Sequence, residues 1–213
     1  MARVGEPLRW SELYAARRAA AGRWPSVFGL RVEKTPGRVV ASVCSPGARV
    51  LDVGAGTGAL REALARHAPG ARYVGLDPDP GTPHDLRALT QVTEPVDVAA
   101  VLEVIEHLTL DDGLALLRAV RAQLVPGGAC VVSTPAIQTP GRFLRDATHQ
   151  TPYAHDELAG VCTLAGFTVE RLVRTWNAPA LARAFRLWIA APVHRYLGVD
   201  FAHSVCAVAR RPA

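Results

Sequence analysis

The chain has 213 residues, 49% hydrophobic and 20% charged, which excludes a disordered chain and one too small to bury a core. No apolar run reaches the roughly 18 residues of a membrane span, and MARVGEPLRWSELYAARRAAAGRW contains no apolar signal region. The net charge of +5 is uneven: eight basic and three acidic residues in 1–38, nine and fifteen in 39–170, and seven and one in 171–213. Lys34 is the only lysine. An Arg-rich genome explains this, and so does a basic rim for an anionic partner around a site that handles a cation. Cys44, Cys130, Cys162 and Cys206 form no C-x-x-C pair, so the expectation is reduced thiols in a cytoplasmic protein.

In chain order, residues 9–22 read as a short amphipathic helix with Ser11 as N-cap and Gly22 as stop. Thr35-Pro36 pairs a cap with a first-turn proline and opens a helix to about Cys44. From there the pattern alternates. ARVLDVG (48–54) is a buried strand, 58–67 a helix, RYVGLD (72–77) a strand, and VDVAAVLEV (96–104) another buried strand. Thr109 to Asp112 has capping spacing and begins a helix to about Leu124, stopped by Pro126-Gly127-Gly128. ACVVSTP (129–135) is a strand, 156–165 a helix closed by Gly166, and FTVERLV (167–173) a strand. A helical stretch, 179–197, precedes a last strand at 203–209. Alternation of this kind specifies an α/β fold with a mostly parallel sheet. Only 18 residues, 78–95, separate two strands, too few for a full crossover, so a shortened helix and a stunted or absent edge strand are expected there.

The strongest local signal is VLDVGAGTGAL (50–60): a buried strand runs through Gly54, Gly56 and Gly58 directly into a helix. Glycines let a ligand lie against bare backbone, and the helix N-terminus presents amide donors to it. Asp77, at the end of the next strand, can accept two ribose hydroxyls. Gly54, Gly56 and Ala59 also satisfy the dinucleotide pattern G-x-G-x-x-A. Against a nicotinamide cofactor stands Asp52, whose charge beside the loop is unwelcome near a pyrophosphate and suits a cationic ligand.

On these residues the chain resembles the class I S-adenosylmethionine-dependent methyltransferases over roughly 35–210. LDVGAGTG (51–58), GLD (75–77), VDVAAVLEVIEHL (96–108), LVPGGACVVSTP (124–135) and ELAGVCTLAGFTVERL (157–172) carry the resemblance. It implies a Rossmann-like three-layer sandwich with a seven-stranded, mostly parallel sheet and an antiparallel last strand; the shortened region at 78–95 departs from the family, which usually places a longer helix, a third strand and an acidic residue near the adenine there. It implies one domain, 1–213, with an N-terminal helical cap (1–45) and a helical insertion (174–200). S-adenosyl-L-methionine is the implied cofactor and S-adenosyl-L-homocysteine its product. Asp52, Gly54, Ala55, Gly56, Gly58, Asp77, Pro78, Leu102 and Glu103 are the implied cofactor-binding positions.

Within that group, E-V-I-E-H-L (103–108) resembles the ubiquinone-biosynthesis type and its small-molecule relatives. This implies Glu103 facing the sulfonium and His107 orienting or deprotonating an acceptor hydroxyl, with His149 a further candidate from the polar segment 138–156. Tyr153 and His155 lie in the same segment. The expected reaction moves a methyl group to an O or N atom of a small-molecule acceptor, anionic or hydrophobic, with no metal required and no nucleic acid bound. Two alternatives stay open. Small-RNA 2′-O-methyltransferases carry a similar E-x-x-E-H followed by a later His, and there Glu103, Glu106, His107 and His149 would hold a divalent metal. A non-catalytic cofactor-binding subunit would show the glycine loop without turnover. Residues 178–199, apolar with Arg183, Arg186 and Arg195, read as a helix packed on the sheet, a lid, or a peripheral membrane contact.

Overall fold

Strand register follows from side-chain alternation in the runs around Asp52 and Ala100. Val50, Val98, Ala100 and Val131 pack into one apolar core, and Leu51, Val53, Ala99, Val101 and Val132 into another on the opposite face. Successive strand residues point to opposite faces, so a continuous apolar run requires cover on both. In the computed structural model, which describes residues 8–213, that cover is two helical layers. The expected 1–45 cap therefore begins outside the described residues.

The sheet has seven strands: β1 (Arg31–Glu33), β2 (Arg49–Val53), β3 (Arg72–Leu76), β4 (Val96–Leu102), β5 (Leu124–Pro135), β6 (Thr168–Thr175) and β7 (Ser204–Arg210). Their order is β1-β6-β7-β5-β4-β2-β3. β7 runs antiparallel to β5 and β6, and every other pair is parallel. Helices α2 (Pro36–Ala41) and α3 (Ala59–His67) cover one face. Helices α1 (Trp10–Arg23), α4 (Leu110–Gln123) and α5 (His155–Leu164) cover the other. Helix α6 (Ala180–Leu197) lies between β6 and β7. No helix among the described residues is long and apolar enough to cross a membrane.

The expected caps hold at two helices. Thr35 Oγ1 accepts the Arg38 amide, and Thr109 Oγ1 accepts that of Asp112. At α1 the cap differs: the helix starts at Trp10, behind Arg9, so Ser11 lies inside its first turn and Gly22 inside its last. The Pro126-Gly127-Gly128 segment belongs to β5, because Gly127 and Gly128 exchange backbone hydrogen bonds with Arg211.

The sheet reaches seven strands by an unexpected route. Residues 78–95 contribute no α-helix and no strand, only a 3-10 turn at Leu89–Gln91 and a single parallel bridge from Leu86 to Leu76. Pro78, Pro80, Pro83 and Pro95 remove ladder donors and fix φ. The Arg87 guanidinium then staples the loop by donating to the carbonyls of Asp77, Asp79 and Thr82. The seventh strand is β1 at the other edge, three residues paired with β6.

Candidate functional site

The site gathers at the carboxyl ends of β2, β4 and β5. After β2 the backbone turns left-handed at Gly54 (φ 73°), and a Cβ there would lie 2.5 Å from Val104 Cγ2, so only glycine fits. The Gly54 and Ala55 amides both donate to the Leu76 carbonyl, tying the loop to β3. Gly58 (φ 77°) is the N-cap of α3, and a Cβ on Gly56 would meet almost nothing, so loop backbone is left bare.

Asp52 is 3% exposed and accepts a 2.9 Å hydrogen bond from the Tyr73 hydroxyl. Burial pushes its carboxyl up to about 6 against the opposing pull of that bond. A cationic ligand would reverse the penalty. Asp77 Oδ2 accepts the Gly56 amide at 2.8 Å, and Oδ1 accepts that of Asp79 at 2.9 Å. His84 Nε2 meets the Gly56 carbonyl at 2.6 Å and must donate there, so the ring spans the loop. His84 fits because residue 75 is glycine, whose Cβ would lie 2.6 Å from Nδ1.

A cavity of about 660 Å³ opens over this floor. Of the sequence-predicted cofactor positions, Asp52, Gly54, Ala55, Leu102 and Glu103 line it, and Gly56, Gly58, Asp77 and Pro78 do not. Bare glycine backbone, a buried carboxylate and this volume fit the aminoacyl part of S-adenosylmethionine. Asp77 is tied to the loop through the Gly56 amide. Sequence reasoning missed Lys34, Arg38 and Arg66, which bring positive charge to the cavity wall. Thr35-Pro36 marked the first two only as a helix start.

Glu103 joins this cavity to the next. Its φ is 55°, the only positive value outside glycine among the described residues. Such a backbone costs on the order of 1–3 kcal/mol and persists where packing over-determines it. Ser133 Oγ donates to Glu103 Oε1 at 2.7 Å. Burial pushes the Glu103 carboxyl above its usual range, opposed by the hydroxyls of Ser133 and Ser204.

The second cavity, about 250 Å³, is lined by Glu103, Glu106, His107, Arg142, His149 and neighbours. The turn Ile105–His107 and the 143–150 segment bring the two histidines together, with ring centroids 4.7 Å apart. His149 Nδ1 lies 2.7 Å from the Phe143 carbonyl and must donate to it, so the neutral ring holds a lone pair on Nε2. Thr148 Oγ1 donates to Asp146 and so accepts from His107 Nδ1 at 2.8 Å, which leaves His107 Nε2 a base as well. Glu106 is fully buried with neither carboxylate oxygen in a hydrogen bond of ordinary geometry. Burial and the nearby Glu103 push it up to about 8. Glu106, His107 and His149 each offer an atom within 4.8 Å of the others, and Glu103 is outside that group. Tyr153 is buried beneath Gly113, and His155 Nε2 bonds the Trp24 carbonyl, so neither lines these cavities.

Comparison with known proteins adds three findings. The sequence model of a methyltransferase domain family matches residues 28–172. A ubiquinone biosynthesis O-methyltransferase of Xanthomonas campestris is 37% identical over 124 residues, 49% of this chain and 50% of that one. One from Xylella fastidiosa is 32% identical over 158 residues, 62% of each. The chain thus spans half to three fifths of the length of these curated relatives. Among solved structures, a SAM-dependent methyltransferase from Archaeoglobus fulgidus superposes with a TM-score of 0.60 at 15% identity, covering 93% of this chain and 94% of that one. The N-methyltransferase NodS of Bradyrhizobium japonicum superposes with a TM-score of 0.53 at 18% identity, covering 84% and 93%.

Proposed function

The chain belongs to the methyltransferase domain family, whose cofactor is S-adenosylmethionine, and we propose that it moves a methyl group to a hydroxyl oxygen of a small-molecule acceptor. One observation carries the reading: Glu103 is common to the glycine-loop cavity and to the histidine-lined cavity beside it. The cofactor, when bound, supplies an electrophilic methyl on a sulfonium. In this reading Gly54, Ala55, Asp52 and Leu102 hold the aminoacyl part, and Glu103 favours positive charge where the cavities meet. Asp77 keeps Gly56 in place, so its effect on the ribose end runs through the loop.

One imidazole, His149 Nε2, then takes the acceptor's single proton, with the His107 ring packed beside it. Alignment is the protein's larger contribution, worth as much as roughly 7–11 kcal/mol of barrier in well-oriented reactions. The names of the curated relatives favour oxygen over nitrogen as the methylated atom.

The test is a titration with S-adenosylhomocysteine followed by transfer of labelled methyl to a catechol panel. His149→Ala should lower the rate on the order of a hundredfold or more with S-adenosylhomocysteine affinity unchanged. An unchanged rate would refute the base assignment, and no S-adenosylhomocysteine binding would refute the reading.

A second reading rests on the unpartnered Glu106 oxygens beside two imidazole lone pairs. There Glu106, His107 and His149 would hold a divalent transition metal, which would lower the acceptor hydroxyl's pKa. Equilibrium dialysis against Mn²⁺ and Zn²⁺ separates the two: one ion per chain, lost in His149→Ala, favours the metal, and none leaves His149 as the base.

A further inference from the structure

A third cavity continues past the histidines. It measures about 630 Å³, and its lining includes Arg142, Arg145, Trp176, Ile189, Phe201 and His203. It shares Arg142 and His203 with the histidine-lined cavity, so the two are neighbours with a common wall. Their linings differ. The histidine-lined cavity holds three carboxyl groups, those of Glu103, Glu106 and Asp146, whereas the third cavity has two arginines and no carboxyl group on its wall.

Arg142 is half-buried and Arg145 exposed. Among the described residues neither guanidinium forms an ion pair or donates a hydrogen bond, so both forks are available to a ligand. The apolar side is equally specific. The Trp176 and Phe201 rings lie parallel within 15°, centroids 6.3 Å apart, with Ile189 of α6 on the same wall. Apolar rings beside two guanidinium groups that donate no hydrogen bond match a ligand with an aromatic body and one anionic group.

We infer that this third cavity is the acceptor-recognition subsite, and that the acceptor is an aromatic hydroxy compound carrying a carboxylate remote from the hydroxyl that is methylated. The inference rests on the O-methyltransferase reading and narrows its substrate class. Electrostatics fix the acceptor's direction. Its anionic end is held by Arg142 and Arg145 and repelled by the Asp146 carboxylate on the other side, so the opposite, hydroxyl end faces the histidines. A neutral analogue keeps the ring contacts and loses both the attraction and the direction.

The probes are 6-hydroxy-2-naphthoate and its neutral partner 6-hydroxy-2-naphthamide, titrated calorimetrically into the chain with and without S-adenosylhomocysteine. The carboxylate should bind at least about tenfold more tightly than the amide, as charge-assisted hydrogen bonds to arginine imply. Arg142→Gln/Arg145→Gln should erase that ratio with S-adenosylhomocysteine affinity unchanged, a readout that a folding defect would not reproduce. A chain that binds S-adenosylhomocysteine but takes the two probes equally, or takes neither, overturns the subsite assignment alone. A chain that binds no S-adenosylhomocysteine overturns the methyltransferase reading and the acceptor assignment with it.

Discussion

Arg174→Leu tests whether a buried ion pair anchors β6 to the segment that follows α6. Arg174 on β6 is 3% exposed, and its guanidinium reaches Asp200 Oδ1 at 2.7 Å. It also donates to the Phe28 carbonyl at 2.6 Å and the Leu30 carbonyl at 3.2 Å, and lies over the Phe28 ring. Asp200 is 1% exposed, and its other oxygen has no partner. Removing the arginine strands a buried carboxylate, which costs about 3–5 kcal/mol. Two carbonyls also lose their donor, at roughly 1 kcal/mol each. A loss of about 5–7 kcal/mol corresponds to a Tm lower by on the order of 10–30 °C for a chain of this size. Adding Asp200→Asn to Arg174→Leu should recover about 2 kcal/mol, because the stranded group no longer carries charge. Urea unfolding followed by circular dichroism of the two single variants and the double gives the coupling directly. Costs that add to within about 0.5 kcal/mol would show that the pair does not act as a unit and would refute the reasoning.

Four further outcomes are expected. Burial holds Asp52 protonated up to about 6 from an ordinary 3.8, so the stability this represents is complete below 3.8 and lost as pH rises through 6. Asp52→Asn should therefore gain up to about 3 kcal/mol over the native chain at pH 8 and progressively less toward pH 4.5, and a pH-independent difference in urea unfolding would sink this. The same ionisation predicts that S-adenosylmethionine affinity weakens as pH falls through 6. Glu103→Gly relieves the left-handed backbone and should raise stability by about 1 kcal/mol while methyl transfer is lost, and a less stable variant would contradict the strain. Asp77→Ala frees the Gly56 and Asp79 amides and should weaken S-adenosylhomocysteine binding about tenfold or more in a titration, whereas unchanged affinity would remove Asp77 from the cofactor site.

What could be read from the sequence is what local backbone chemistry dictates. The Gly54 to Gly58 turn, the capped starts at Thr35 and Thr109, and the doubly buried runs of β2 and β4 each carry their reason within a few residues. The E-x-x-E-H segment was legible for the same cause, since it directly follows β4. The rest depends on contacts distant in sequence. Arg31–Glu33 becomes a strand only because β6 offers it an edge more than a hundred residues away. Arg38 of α2 and Arg66 of α3 line one cavity, and Arg142 and Phe201 line another, each pair far apart in sequence, so nothing in their own neighbourhoods marked them. Asp77 illustrates a third case: its position at the strand end was legible, but the loop amides it accepts were not.

Exchanging the usual third strand for a stapled loop also governs how copies of the chain meet one another. An open strand edge is a template on which other chains can add. Here Leu86 already occupies hydrogen-bonding positions at Gly75 and Asp77, and three prolines in 78–83 deny a continuing ladder. The opposite edge is β1, three residues long. Neither rim presents a long run of unpaired amides, so the sheet is protected against edge-to-edge aggregation at both ends without needing a partner to cover it.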